Sequence, residues 1–229
     1  PAITEAQRLP KILNTDLSAT MPWVQPVDAA PYFAYAQFAE PRQVLALAPP
    51  DARLPYATAI WHYARAVAHA QRKDDRAAET EIAAIAKIRT TTDFKSMADQ
   101  LVPAPDLLMI AETVARARLS YAHARYAEAA TLYRQAIAIE DRLNYYEPPW
   151  WYYPVRQSLG AALYRAGDMA GARQAFTEAL AKTPNNGWAL FGLAATQTAE
   201  GDRLGAAAAR AALSRAWMGN PAWLKIDRL

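Results

Sequence analysis

The side chains best suited to bind a ligand are concentrated in residues 145–154, a segment that we call the aromatic insertion. It holds six Tyr and Trp rings, one carboxylate and three prolines within ten residues. Such rings stack on peptides, proline-rich segments and sugars, and the prolines favour an extended backbone. The candidate binding residues of this segment are Tyr145, Tyr146, Glu147, Trp150, Trp151 and Tyr152.

Two interpretations of the aromatic insertion are open. In one, the segment folds back and buries its rings over the neighbouring helices, which keeps the chain in solution. In the other, the rings form a stiff exposed surface, and a large exposed apolar patch marks an interaction site. Some rings can serve both purposes, packing against the helices and contacting a ligand.

No pattern typical of a catalytic or metal site is present. Cysteine is absent, which excludes thiolate ligands and cysteine nucleophiles. His62 and His69 lie two helical turns apart, about 10 Å, too far to bind one metal ion unaided. We interpret them as half-buried against the following helix, and His123 as a surface residue. Glu147 alone cannot supply the two carboxylates of a glycosidase. We therefore predict a non-enzymatic chain with no catalytic residue, metal or cofactor.

Charge and hydropathy argue against two further classes. The 25 Lys and Arg residues nearly balance the 22 Asp and Glu residues, and the short basic run ending at Lys73 is followed at once by Asp74 and Asp75. This argues against nucleic-acid binding. No apolar stretch reaches the roughly 18–20 residues of a membrane span. The sequence begins at Pro1 without a basic-then-apolar leader, so we leave the compartment open between cytoplasmic and periplasmic or secreted after signal removal.

Helices must position these side chains, because the chain is rich in Ala, Leu, Arg, Glu and Gln, which are strong helix formers. The clearest pattern is a 34-residue unit over 153–186. Its small residues Gly160 and Ala172 would let two antiparallel helices cross closely, and Phe176 would fill the space between them. Gly167-Asp168 would form the turn, and Pro184 would end the second helix.

The same spacing predicts five helix pairs. Ala206 lies 34 residues after Ala172, and Val44 lies 34 residues before Ala78. The units are predicted near residues 31–48, 55–89, 107–140, 153–184 and 187–217, after an N-terminal helix and proline-rich connection over 1–30. Two insertions interrupt the array. One lies near Thr90–Asp106, whose middle could form one or two helical turns, and the other near Asn144–Tyr152; insertions of this kind often carry function.

This pattern is similar to the tetratricopeptide-repeat (TPR) family. The Leu-Gly pair at 159–160, Ala172, Phe176, Ala179 and Pro184 match the family consensus, whereas Arg156 and Leu163 replace its early Trp and its Tyr. The resemblance implies an all-α fold, namely a right-handed α-solenoid of about four to five TPR-like helix hairpins with two insertions.

Three further runs resemble the C-terminal part of a group of uncharacterised bacterial TPR proteins: Ala59–Arg65, Glu147–Arg156 and Asn186–Ala194. That resemblance implies that upstream repeats are missing from this chain. Because each repeat is stabilised by its neighbours, missing units would leave an apolar N-terminal face. We expect the chain to self-associate through that face or to cover it with residues 1–30.

In TPR proteins the first helix of each pair lines a concave groove. Carried over to this sequence, the groove residues are Tyr63, Gln71, Arg118, Tyr121, Gln157, Tyr164, Arg165, Trp188 and Phe191. Tyr, Trp and Arg are enriched in binding hot spots. For Trp188 and Phe191, packing against the preceding pair is an equal alternative. The subtype that grips acidic chaperone tails needs Lys and Asn where this chain has Gln157 and Ala161, so that role is not expected.

The groove and the resemblance together predict a scaffold that binds a protein or peptide. The alternative is a carbohydrate- or cell-envelope-binding module that uses the aromatic insertion. An enzyme built on a helical toroid is the third interpretation. The sequence identifies the partner only as a class.

Overall fold

The computed structural model describes residues 2–229. In that range the chain forms thirteen α-helices, four 3-10 turns and no β-strand. The helices are α1 (Ala2–Arg8), α2 (Thr15–Thr20), α3 (Gln25–Phe38), α4 (Pro41–Leu45), α5 (Pro55–Gln71), α6 (Asp75–Thr91), α7 (Lys95–Ala98), α8 (Ala104–Ala122), α9 (Tyr126–Glu140), α10 (Val155–Ala166), α11 (Met169–Lys182), α12 (Gly187–Ala199) and α13 (Arg203–Ala216). The 3-10 turns cover Leu9–Lys11, Pro22–Val24, Pro221–Trp223 and Ile226–Arg228.

The long helices pack as sequential pairs. The pairs are α5 with α6, α8 with α9, α10 with α11, and α12 with α13, and each second helix also packs against the first helix of the next pair. The first helices contact one another from α3 to α5 and from α5 to α8. The prediction of an all-α chain built from consecutive helix pairs is confirmed, and the packing is consistent with a helical repeat-like arrangement.

The pair α10–α11 shows why this sequence forms tight hairpins. Gly167 adopts a left-handed conformation (φ 84°) at the end of α10, and Asp168 caps α11 by accepting from the N–H of Gly171 at 2.9 Å. A Cβ on Gly160 would lie 2.7 Å from the Phe176 ring. The close helix crossing predicted around Phe176 is therefore present, and the ring is fully buried.

The N-terminal region differs from the prediction in one boundary. Helix α3 begins at Gln25, inside the range predicted as a proline-rich connection, and it continues through Pro31. Pro26 is tolerated because the first turn of a helix has no intrahelical N–H partner to lose. The predicted unit near 31–48 therefore consists of α3 and the short α4, with its first helix starting earlier.

Residues 2–20 lie over α3. Cover of the N-terminal face by residues 1–30 was one of the two outcomes expected from the sequence, and self-association through that face was the other. Helix α1 packs against α3, and Ala6 and Ala29 are buried there. The cover is incomplete, because Ile12 is 79% exposed and borders a hollow of about 370 Å³. Pro1 lies outside the described residues. Self-association through this face stays a prediction.

The two insertions have different structures. The first contains α7 and packs its Met97 into the core, in agreement with the predicted one or two helical turns. The second, between α9 and α10, is irregular. Within residues 2–229, no helix has both the length and the apolar character needed to cross a membrane.

Candidate binding site

The first-helix face, which we define as the surface formed by α3, α5, α8 and α10, carries a narrow recess. Four of the nine predicted groove residues line it: Tyr63, Gln71, Arg118 and Gln157. Tyr152 and Tyr153 of the aromatic insertion and Arg228 also line it, together with Ala36, Gln37, Ala39 and Val67. The cavity volume is about 20 Å³, slightly above the roughly 10–15 Å³ that one buried water needs. Helices distant in sequence therefore bring these side chains together around a small polar space.

Arg118 is the charged group of this recess. Its guanidinium donates to Ser158 Oγ at 3.2 Å, and no carboxylate of residues 2–229 lies within 4 Å of it. Burial acts to lower the pKa of Arg118, whereas the coulombic effect of the nearby tyrosines in their ionised form raises it, and the net direction is upward. An arginine side chain keeps its charge in either case. The recess therefore contains a positive charge without a carboxylate partner.

The tyrosines around Arg118 are neutral hydrogen-bonding groups. The hydroxyls of Tyr63 and Tyr152 share a hydrogen bond of 2.9 Å, and Ser158 Oγ donates to the hydroxyl of Tyr153 at 3.2 Å. Burial raises the pKa of Tyr63 and of Tyr152 well above the ordinary value. None of them supplies a negative charge to Arg118 at neutral pH.

Two other predicted groove residues hold the end of the chain. Arg165 donates two hydrogen bonds to Asp227, at 2.8 Å and 2.7 Å, and the Tyr121 hydroxyl donates a third at 2.8 Å. Ile226 and Leu229 on either side of this contact are buried. Residues 217–229, which we call the C-terminal segment, therefore lie against the first-helix face through the ion pair at Asp227.

The C-terminal segment also reaches the first helices of the chain. Arg228 donates to Glu40 at 2.9 Å and stacks on Trp223, with its guanidinium carbon 4.0 Å from the ring centroid. The ring of Trp223 lies 6.4 Å from that of Phe38 at the end of α3. No role for this segment was predicted from the sequence. Its only signal was the set of apolar residues that follow the last helix.

The remaining three groove residues do not line the recess. Trp188 is buried, with its ring centroid 5.0 Å from that of Trp217 in an edge-to-face contact, so it packs against the start of the C-terminal segment. Tyr164 and Phe191 are half-buried and pack against the core. Trp188 and Phe191 therefore contribute to packing around α12 and do not line the recess.

The aromatic insertion divides into two halves. Trp151 is 3% exposed, and Tyr152 stacks on Phe33 of α3 with ring centroids 4.5 Å apart. Tyr145 is 87% exposed and donates from its hydroxyl to Glu147, which is also exposed. Residues 151–153 thus follow the buried interpretation, and residues 145–147 follow the exposed one.

Trp150 joins the two halves. It is half-buried and stacks on the half-exposed ring of Tyr146 at 4.0 Å, with an interplanar angle of 17°. This ring stack links the buried half of the insertion to the exposed half.

His62 and His69 are half-buried, which agrees with the expectation from the sequence. His62 contacts Glu81 of α6 at 2.5 Å, and Arg65 donates to the same carboxylate at 2.6 Å. Burial raises the pKa of Glu81, but these two hydrogen bonds outweigh it and the net direction is downward. His123 contacts the exposed Asp75 at 2.6 Å. Residues 2–229 contain no group of three or more His, Cys, Asp or Glu side chains able to hold a metal ion.

Comparison of the chain with protein-family models, with curated proteins and with solved structures gave no match. A function can therefore be proposed only from the geometry of the first-helix face and of the aromatic insertion.

Proposed function

We propose that this chain is a non-enzymatic scaffold of the TPR type, a right-handed α-solenoid that binds a protein or peptide segment on its first-helix face. One observation carries the proposal. The face holds an irregular peptide segment of the chain itself, and it does so through Tyr121 and Arg165, two residues predicted to bind a ligand.

The contacts of the C-terminal segment indicate the chemistry of a suitable partner. A bidentate ion pair between a guanidinium and a carboxylate gives orientation as well as energy, and Ile226 and Leu229 add buried apolar area on either side of it. The partner segment we propose carries an acidic residue flanked by aliphatic residues, because that is what the face accommodates in Asp227 and its neighbours.

A partner must compete with the C-terminal segment. A tethered segment has an effective concentration in the millimolar range, so a free peptide with the same contacts would bind the intact chain weakly. Weakening the ion pair at Asp227 within the chain should release the face and increase the affinity for an added peptide.

The test uses a fluorescent peptide that copies residues 219–229, added to the full chain and followed by anisotropy. We expect the Asp227→Asn chain to bind the unmodified peptide about ten-fold more tightly than the wild type does, a change equivalent to about 1.4 kcal/mol. Adding Arg165→Gln to that chain should abolish binding, whereas adding Arg215→Gln, at an exposed arginine of α13, should have no effect. Absence of saturable binding to the Asp227→Asn chain would reject the proposal.

The second candidate function is a carbohydrate- or cell-envelope-binding module, favoured by the exposed half of the aromatic insertion. The stacked pair Tyr146–Trp150 and the free ring of Tyr145 form a surface on which a sugar ring could stack. Isothermal titration with envelope glycans tests it, with Trp150→Ala as the variant. Trp151→Ala is unsuitable because Trp151 is buried. No heat of binding with the wild type rejects this candidate.

A further inference from the structure

We infer that the recess around Arg118 is a binding site for one carboxylate group of a ligand that lies on the first-helix face. The inference rests on the proposed function for the identity of the ligand, but not for the existence of the site.

Arg118 is the one half-buried arginine of residues 2–229 that has no carboxylate partner. The five others each have a carboxylate oxygen within 3.3 Å: Arg65, Arg89, Arg116, Arg156 and Arg228. Removing a charge from water is costly unless an opposite charge or several hydrogen bonds compensate it. The single bond from Arg118 to Ser158 leaves most of its five N–H donors available.

The neighbouring groups are arranged to donate to an anion. Asn186 accepts the N–H groups of Trp188 and Ala189 through its Oδ1, which fixes its amide nitrogen as the donor to Gln157 Oε1 at 3.0 Å. The Nε2 of Gln157 is therefore left as a donor at the recess. One of the two hydroxyl protons of Tyr63 and Tyr152 forms the hydrogen bond between these residues, and the other can be donated to an acceptor.

The net charge of the recess matches a monoanion. None of the residues that line it is acidic. Arg228 is already neutralised by Glu40, so Arg118 supplies one uncompensated positive charge. A carboxylate carries one negative charge and presents two coplanar oxygens to the guanidinium fork. A phosphate carries more negative charge at neutral pH than the single positive charge of Arg118 balances.

The site differs from a clamp made of Lys and Asn side chains on the repeat helices alone. Its wall includes Tyr152 and Tyr153 of the aromatic insertion, so it requires the insertion to be folded back. This gives the buried half of the insertion a role in binding as well as in packing.

The experiment follows the Nε–Hε NMR signal of Arg118 in the full chain during titration with sodium acetate. We expect a saturable shift with a Kd on the order of 10 mM, reasonable for one carboxylate. Arg116→Gln, which changes a half-buried arginine that already has carboxylate partners, should leave the shift unchanged. No saturable shift up to about ten times that Kd, or a phosphate that binds at least about ten-fold more tightly than acetate, would overturn the inference.

A second variant, Gln157→Glu, tests the site while keeping Arg118 in place. Gln157→Glu has nearly the same shape, still accepts from Asn186 and places a carboxylate beside Arg118. We expect Gln157→Glu to abolish the acetate shift and to raise the melting temperature. An undiminished acetate shift in this variant would contradict the site.

Two further probes identify the source of the carboxylate. N-acetyl-leucine presents a main-chain carboxylate, and the α-amide of N-acetyl-glutamic acid presents only a side-chain carboxylate. The probe that binds more tightly identifies the carboxylate of the ligand as a main-chain or a side-chain group. Acetate binding without peptide binding would support the carboxylate site and reject the peptide-binding scaffold. Peptide binding with no acetate shift would support the scaffold and reject the carboxylate site.

Discussion

The two halves of the aromatic insertion have nearly the same composition and opposite environments. Residues 145–147 face solvent, whereas residues 151–153 pack against α3 and α5, with Trp151 in edge contact with both Phe33 and Tyr63. The difference arises from the surface each half meets, because the buried half lies over helices more than eighty residues away in sequence. A stretch of aromatic residues therefore has no single structural role.

The largest difference in stability between the two halves is expected from the loss of a buried ring. Trp151→Ala should lower the free energy of unfolding by about 3–5 kcal/mol, because it leaves a cavity between α3 and α5. Tyr145→Ala, in the exposed half, should change it by less than about 0.5 kcal/mol. Urea denaturation followed by circular dichroism measures both. Equal losses would show that the halves are not distinct.

An intermediate effect concerns one hydroxyl. Tyr152→Phe removes the partner of the Tyr63 hydroxyl at the edge of the recess and should lower the free energy of unfolding by about 1–2 kcal/mol. The matched change Tyr146→Phe removes a half-exposed hydroxyl and should be close to neutral. The same denaturation measurement applies, and a neutral Tyr152→Phe would mean that the hydroxyl pair contributes nothing.

The smallest effect concerns the base of the insertion, where Asp141 accepts from Arg156 at 2.6 Å and from Lys182 at 2.7 Å. Hydrogen bonds from Arg156 lower the pKa of Asp141 to about 2. The folded-state pKa is lower than that of the unfolded chain, about 3.9. The resulting stability is therefore complete above about pH 4 and lost as the pH falls towards 2.

Because Asp141 is more than a third exposed, its contribution is about 1 kcal/mol at most. Urea denaturation at pH 5 and pH 2.5 should show a smaller acid-induced loss for Asp141→Asn than for the wild type. Glu147→Gln, at the exposed carboxylate of the insertion, should behave as the wild type does. An identical acid response in all three chains would exclude this contribution of Asp141.

Local patterns were enough to predict the helix pairs. Gly160, Ala172 and Phe176 act within one hairpin, and Asp168 and Asn186 cap helices that begin next to them. These effects depend on residues a few turns apart, so the sequence shows them directly. The four groove residues that line the recess came from positions that the TPR resemblance implies, and they lie together on the first-helix face.

The rest of the site depends on contacts between distant segments. Nothing near Trp151 in the sequence indicates that Phe33 will pack against it. The contact between Asp227 and Arg165 was missed because residues 217–229 show neither helical periodicity nor a repeat. The first unit was predicted to begin near residue 31, whereas α3 begins at Gln25 and runs through Pro31. Packing of α3 against α1 and α5 outweighs the loss of one backbone hydrogen bond at this proline.

The bond between Arg228 and Glu40 joins residues 188 positions apart. In an open array each repeat contacts only its neighbours, so either end can fray without disturbing the other. Here the last turn of the chain lies against α3 and α4, and loss of one end removes contacts from the other. Such a closure favours all-or-none unfolding of the array. It also adds non-local contacts that must form during folding, which slows the search for the native state.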